Sequence, residues 1–348
     1  MKILFINGQY PFCYYYRGYL PGVYSGNGVV TDFIRSGSQL SQGELYSKAE
    51  KSDVLVFQRP TEQKMFDFAI LMKKKGKKII FENDDSYSTI PMDKLENDAQ
   101  RAIAKKLNSS LNNFAKFADG VIASTPILAD EYSKLNSNVV VLKNTIDPLD
   151  RIPCRKNDTG KFRIGLIGSV TSNEDYDHIK EDLRRLDATN EYTIVVMGVK
   201  FKDGTHLSIS QPDYDFWSSL KNVEMHPYCK ITEYIHTVSK LALDLAIIPR
   251  KDMYFNYCKS NLKFLEMSLL KIPVVAQGFQ NGLSPYQGVD EQYMTVIQDN
   301  WHDTIVDVKE KYASYKEKAE TAHEYVLKNY NIAEYYKEWV NKIEQLCK

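Results

Sequence analysis

Ile247-Ile248-Pro249-Arg250-Lys251-Asp252-Met253-Tyr254-Phe255-Asn256-Tyr257-Cys258-Lys259-Ser260-Asn261-Leu262-Lys263-Phe264-Leu265-Glu266 runs on to Ile272-Pro273-Val274-Val275-Ala276-Gln277. An apolar strand, Leu243 to Ile248, enters a polar loop. Ser260 and Asn261 are residues that cap helices. Leu262, Leu265, Leu269 and Leu270 then recur at helical spacing. Lys271 closes that helix, and Pro273 opens a second buried strand, Val274 to Ala276. Strand, loop, helix, strand is the unit of a parallel α/β sheet. In such sheets ligands bind at the carboxyl ends of strands and at helix N-termini.

Lys259 and Lys263 are four residues apart, which predicts one helical side with Ser260 at the cap. Two cations beside free backbone N–H groups suit a diphosphate. Glu266, one turn deeper, can accept hydrogen bonds from a ribose diol. The same spacing also suits an amphipathic helix with a Lys–Glu pair on its wet face.

Outward from this stretch, the chain has 348 residues, long enough for two α/β domains. Hydrophobic residues make up 43% and charged residues 26%, the balance of a soluble globular protein. Lys+Arg and Asp+Glu both number 45, so no net field favours nucleic acid or membrane. The run Lys73-Lys74-Lys75-Gly76-Lys77-Lys78 is one local basic patch, or a solvated helix end with a glycine stop. Five cysteines with irregular spacing and no CxxC argue for a reducing compartment and against zinc. All six histidines lie beyond residue 177 and form no HxH or HExxH, which disfavours His–metal and Ser–His–Asp chemistry. No signal peptide precedes the first strand, and no apolar run is long enough to span a bilayer, so a cytoplasmic protein is expected. Twenty-four Tyr among many Lys and Asn suggest an AT-rich bacterial or phage genome.

The first half reads as one doubly wound domain, residues 1–147. Lys2 to Ile6 is its first strand. A loop rich in tyrosine and glycine follows, Tyr14-Tyr15-Tyr16-Arg17-Gly18-Tyr19, with Gly22, Gly26 and Gly28 beyond. Its tyrosines can stack on a sugar or base, or pack on their own domain. GxGxxG is absent. Asp53 to Phe57 is a strand leaving at Arg59, and Lys78 to Glu82 is another, ending in Asn83-Asp84-Asp85-Ser86. Asp84 and Asp85 can orient an acceptor hydroxyl or take its proton, or serve as caps. A helix is expected over Leu95 to Phe117, and strands over Asp119 to Ala123 and Asn138 to Leu142. Residues 148–160 read as a linker. The second domain, 161–330, opens with a strand from Phe162 ending at Gly168-Ser169, and Thr171 to Asp175 supplies a cap for the helix beyond. Further strands are expected over Tyr192 to Gly198, Val223 to His226 and near Tyr293 to Ile297, and helices over Thr304 to Lys328 and Ile332 to Leu346.

The run Phe255-Asn256, Lys259-Ser260, Lys263, Glu266 and Ile272 to Ala276 resembles the donor-binding signature of glycosyltransferase family 4, retaining nucleotide-sugar enzymes of the GT-B fold. The resemblance implies two Rossmann-like domains facing a cleft, with the last helix, 331–348, crossing back to the first. It implies that Gly168, Ser169, Arg250, Lys259, Ser260, Asn261 and Lys263 hold the donor phosphates, with Lys259 and Lys263 assisting departure, while Glu266 takes the ribose. Cys258 stands where the first glutamate of the signature would fall. Tyr16, Arg17, Arg59, Asp84, Phe255 and Asn256 are expected on the acceptor or donor-sugar side. Sugar transfer with retention is expected, from a UDP-sugar first or a GDP-sugar second, with no metal and no further cofactor. The acceptor is a glycan, a lipid-linked precursor or hydroxylated phage DNA. A nucleotide-sugar-binding protein without transfer, and a UDP-sugar epimerase, are the alternatives.

Overall fold

The computed structural model describes residues 1–7, 11–26, 28–30, 41–88, 98–168, 175–199 and 211–348. They form two compact units. The first comprises Met1–Asp147, Tyr257–Ser260 and Asn331–Lys348, and the second Pro148–Asn256 and Asn261–Tyr330.

The first unit holds a six-stranded sheet: β1 (Ile3–Asn7), β2 (Gly28–Val30), β3 (Val54–Gln58), β4 (Lys78–Asn83), β5 (Gly120–Ala123) and β6 (Val139–Val141). The order is β2-β1-β3-β4-β5-β6, and every pairing is parallel. These strands are nearly continuous apolar runs because both faces are covered. On one face Phe57 and Phe81 pack with Phe114 of the helix Asp98–Phe117 and with Tyr132 of the helix Pro126–Ser133. The terminal helix Ile332–Leu346 belongs to this unit, where the Trp339 ring meets Phe5 edge-on at 6.2 Å. Chain order reverses between β1 and β3, so the crevice of this sheet lies at their carboxyl ends.

The second unit repeats the architecture with β7 (Phe162–Ile167), β8 (Tyr192–Val199), β9 (Val223–Pro227), β10 (Leu245–Ile248), β11 (Val274–Gln277) and β12 (Thr295–Ile297). The order is β12-β11-β10-β7-β8-β9, again wholly parallel. Its reversal falls between β7 and β10. Trp217, Trp301, Leu183 and Ile305 fill the core around them.

Four expectations change. The tyrosine segment after β1 is helical, with turns over Pro11–Tyr14, Tyr15–Tyr19 and Leu20–Tyr24. Tyr14, Tyr15, Tyr16 and Tyr19 are buried, and a buried segment must satisfy its own backbone. Gly18 makes this possible, because a Cβ there would sit 2.3 Å from the Tyr14 ring. The helix after the signature loop begins at Leu262. Asn261 is at its cap position without a side-chain capping bond, while the Ser260 hydroxyl accepts from Asn144 Nδ2 at 2.7 Å. The helical stretch near the C-terminus is split into Trp301–Glu310 and Tyr312–Asn329. Asp175 is not at the cap position of the helix beyond, which Tyr176 holds; its carboxylate is bound by Arg250 and Asn256. Residues 95–97, 169 and 171–174 lie outside the described residues, so Ser169 and the start expected at Leu95 do too.

Candidate functional site

Polar side chains collect at the carboxyl edge of each sheet, near the point where strand order reverses.

In the first unit the centre is Arg59, immediately after β3. Its backbone is left-handed (φ 47°), an uncommon conformation for a residue with a side chain. The guanidinium is buried and its Nη2 donates to Asp84 Oδ1 at 2.5 Å and Asp85 Oδ2 at 2.6 Å. Lys259 Nζ donates to the other oxygen of Asp85. Burial pulls the Arg59 guanidinium toward losing its proton, but Asp84 and Asp85 outweigh it and keep the cation. Burial likewise pushes the Asp85 carboxyl up, yet Lys259 and Arg59 together hold it below the usual carboxylate range. Asn83 Nδ2 donates to the Asp85 carbonyl at 2.6 Å, and Tyr87 lies 5.2 Å beneath the Arg59 guanidinium. The Cys13 thiol adjoins this group; burial first, and then Asp84, push its pKa up, so it stays protonated as a donor.

Arg17 and Tyr16 are not on an open loop. Arg17 is 0% exposed. Its Nε donates to Glu82 Oε1 at 2.6 Å, its Nη1 donates to the Leu142 carbonyl at 2.6 Å, and its guanidinium lies 4.9 Å from the Trp339 ring centre. Arg17 therefore ties strands and the terminal helix together inside the unit. Cys258 is buried in the core of the first unit, and its carbonyl accepts from Thr125 Oγ1 at 2.9 Å.

In the second unit, β7 ends at Gly168, whose φ of +141° disfavours any side chain. A Cβ at Gly168 would lie 3.0 Å from Lys263 Cε, so the lysine stem runs against bare backbone. Lys263 Nζ donates to Glu266 Oε2 at 2.7 Å and to the Tyr234 hydroxyl at 2.8 Å. Glu266 is 2% exposed, so the Lys–Glu pair lies inward rather than on a wet face. After β10, Arg250 Nη1 donates to Asp175 Oδ2 at 2.5 Å. Asn256 Nδ2 donates to Asp175 Oδ1 at 2.7 Å, and the Lys251 backbone N–H donates to the same oxygen at 3.0 Å. Burial works against the Arg250 cation, but Asp175 and Tyr286 raise its pKa.

Lys263, Glu266, Gly168, Arg250 and Asn256 thus belong to the second unit. Lys259 and Ser260 belong to the first, and Lys259 precedes the helix instead of sharing its face with Lys263. Phe255 is half-buried in the short helix Tyr254–Tyr257. Spacing in the sequence revealed nothing of Tyr234, Asp175 as a partner of Arg250, Glu82 or Cys13. Each acts across 29 to 75 residues of chain, where no local pattern reaches. His226 is half-buried at the end of edge strand β9, 3.4 Å from Glu224. In the basic run, Lys73 pairs with Asp119 at 3.1 Å and Lys75 with Glu50 at 2.6 Å, while Lys77 donates to the Glu50 carbonyl at 2.7 Å. Among the described residues no group of three or more His, Cys, Asp or Glu side chains could hold a metal ion, and no helix is long and apolar enough to cross a membrane.

Two parallel, doubly wound sheets of this order define a protein of the GT-B fold, and glycosyltransferases of that type are among the solved structures it matches. Among them is HepE from Anabaena, solved with UDP, with UDP-glucose, and with UDP and glucose. Its UDP-glucose complex matches with a TM-score of 0.66 and 14% identity, over 99% of this chain and 100% of that one. Sucrose-phosphate synthase from Thermosynechococcus elongatus matches with a TM-score of 0.64 and 10% identity, over 99% of both chains. TarM from S. aureus matches with a TM-score of 0.57 and 15% identity; 83% of this chain is covered but only 55% of that one. At such identities the likeness is one of fold. No family model and no curated protein sequence matches the chain.

Proposed function

We propose that this protein is a retaining glycosyltransferase, of hexosyl type, that moves a sugar from a nucleotide diphosphate sugar to an acceptor hydroxyl. The observation that carries this reading is Lys263, a cation laid against the bare backbone of Gly168 where strand order reverses. Glycine lets a phosphate approach the peptide, and a lysine there meets its charge. The GT-B fold, shared with a HepE solved with UDP-glucose, supports a UDP-sugar as first choice and a GDP-sugar as second.

In this mechanism the bond from the anomeric carbon to the β-phosphate oxygen breaks as the acceptor oxygen bonds to the same face. Negative charge grows on the departing diphosphate. Lys263, Arg250 and the first N–H groups of the helix Leu262–Leu269 meet it on the donor side, so no metal is required. Glu266 accepts from the ribose. The acceptor proton passes to the departing phosphate oxygen. Asp85, held below the usual carboxylate range, is a weak base; it and Asp84 orient the hydroxyl instead.

The cations at Lys73, Lys75 and Lys77 already have partners within their unit, which favours a glycan or lipid-linked precursor over DNA as acceptor. The setting is the cytoplasm of a bacterium or of a phage-infected cell. A second reading, donor binding without transfer, is favoured by Cys258, buried where the resembled signature has a carboxylate.

Thermal shift with UDP, GDP, ADP, CDP and dTDP and their sugars, without added metal, tests the donor site. One nucleotide is expected to raise the melting temperature by mass action. No shift with any of them overturns the proposal. Donor turnover with and without acceptor then separates the readings: a transferase needs both, an epimerase converts donor alone, and a binding protein leaves the donor intact. Lys263→Ala is expected to weaken nucleotide binding by about 1–3 kcal/mol, read by calorimetry.

A further inference from the structure

We infer that Tyr234 is a positioning residue for the donor diphosphate, its hydroxyl holding Lys263 and Glu266 in register with each other. The inference rests on the donor site proposed above.

Tyr234 is buried in the helix Ile231–Lys240, 29 residues from Lys263 and 32 from Glu266. Its hydroxyl uses both of its faces. The oxygen accepts from Lys263 Nζ at 2.8 Å, and the proton is donated to Glu266 Oε2 at 3.1 Å. The same Glu266 oxygen accepts directly from Lys263 at 2.7 Å, so the three groups close a triangle. The lysine ammonium also lies 4.8 Å from the centre of the Tyr234 ring, where the face attracts a cation.

The triangle solves a problem of charge. Glu266 is nearly inaccessible to water, and a carboxylate left without a donor there is costly. An arriving diphosphate competes for the Lys263 ammonium. If Lys263 were the sole donor to Glu266 Oε2, every step of the ammonium toward phosphate would take the donor from that oxygen. The Tyr234 proton remains on that oxygen as the lysine turns. Burial, and then the Glu266 charge, push the phenol well above its ordinary range, so the hydroxyl remains a donor. An ammonium has three N–H donors. Two point to Tyr234 and Glu266, and the third has no partner among the described residues. Fixing two of the three leaves the last one oriented, which is what a phosphate site on a flexible side chain requires.

A phenylalanine ring fills the same space and keeps the cation–ring contact, so a packing role alone predicts no effect from losing the hydroxyl. The test is UDP affinity by calorimetry for wild type, Tyr234→Phe, Lys263→Ala and the double variant, with melting temperatures recorded for each. If UDP is not the nucleotide wild type prefers, the preferred diphosphate from the panel replaces it. Tyr234→Phe is expected to weaken binding about tenfold, and less than twofold when Lys263 is already alanine. Unchanged affinity in Tyr234→Phe overturns the inference. So does an equal loss in both backgrounds, which marks a role independent of Lys263. A wild-type protein that binds no nucleoside diphosphate overturns the proposed function itself, and the inference with it. Should Tyr234→Phe fail to fold, 4-fluorophenylalanine at position 234 fills the volume of the hydroxyl without its proton, and the same outcomes apply.

Discussion

Glu82 is a carboxyl group held where water does not reach, 0% exposed beside an equally buried arginine. Burial pushes its pKa up; Arg17 pulls it down without offsetting that effect; and Asp84 pushes it up again, to about 7. The unfolded chain has the ordinary value of 4.5, so the folded form binds this proton more tightly. Its contribution to stability is therefore complete below pH 4.5 and is lost as pH rises through about 7. Glu82→Gln removes that titration. The stability of wild type relative to Glu82→Gln should fall by on the order of 1–3 kcal/mol across this window, then level off, as read by denaturant melts at several pH values. Asp85 shows the opposite sign, because Arg59 and Lys259 favour its anion more than burial opposes it. Asp85→Asn should lower sugar transfer while donor affinity stays the same; full transfer would remove Asp85 from the acceptor side. Arg59 and Lys259 were both legible as candidates. Asp85 was legible too, but its pairing with Lys259 was not, since 174 residues separate them.

Among the elements, strand β7 and its ending show how backbone makes a site. Gly168 sits at a φ that side chains rarely adopt, and its missing Cβ makes room for the Lys263 stem. Gly168→Ala should lower stability by about 1–3 kcal/mol through strain and crowding, and should weaken UDP binding as Lys263 is displaced. A normal melting temperature with normal affinity would contradict this. Most strands and long helices were legible because apolar runs of strand length and helical periodicity are local signals. The segment Pro11–Tyr24 was not. Its tyrosines follow no period, and what makes it helical is the interior it enters: Tyr14 donating to the Phe5 carbonyl at 3.0 Å, and Arg17 meeting Glu82. The cap after the signature loop falls at Asn261, one of the two residues expected there, but no side chain makes the capping bond. Ser260 has the side chain of a cap, but Asn144 engages it first.

For the whole molecule, the last helix belongs with the first 147 residues rather than with its sequence neighbours. The Ile332 N–H donates to the Ile146 carbonyl at 3.0 Å, and Asn138 Nδ2 donates to the Leu346 carbonyl at 3.0 Å. Gly120 admits the Leu346 side chain at a distance where a Cβ would stand 2.8 Å away. Trp339 covers Phe5 and Arg17. Removing residues 331–348 should therefore unfold the first unit at lower temperature, and Trp339→Ala should cost about 3–5 kcal/mol. Calorimetric scans that show no loss in the truncated chain would contradict this assignment.

The sequence by itself determined two doubly wound α/β sheets, the strand–loop–helix of residues 243–277, and the lysine and glutamate that helix carries. Those follow from periodicity and turn chemistry, which act over a few residues. Only the tertiary structure decided which charges are paired: Lys259 with Asp85, Lys263 with Glu266 and Tyr234, Arg250 with Asp175, Arg17 with Glu82. A buried charge must find an opposite partner wherever the fold brings one near, and in a parallel sheet nearness joins strand ends far apart in the chain.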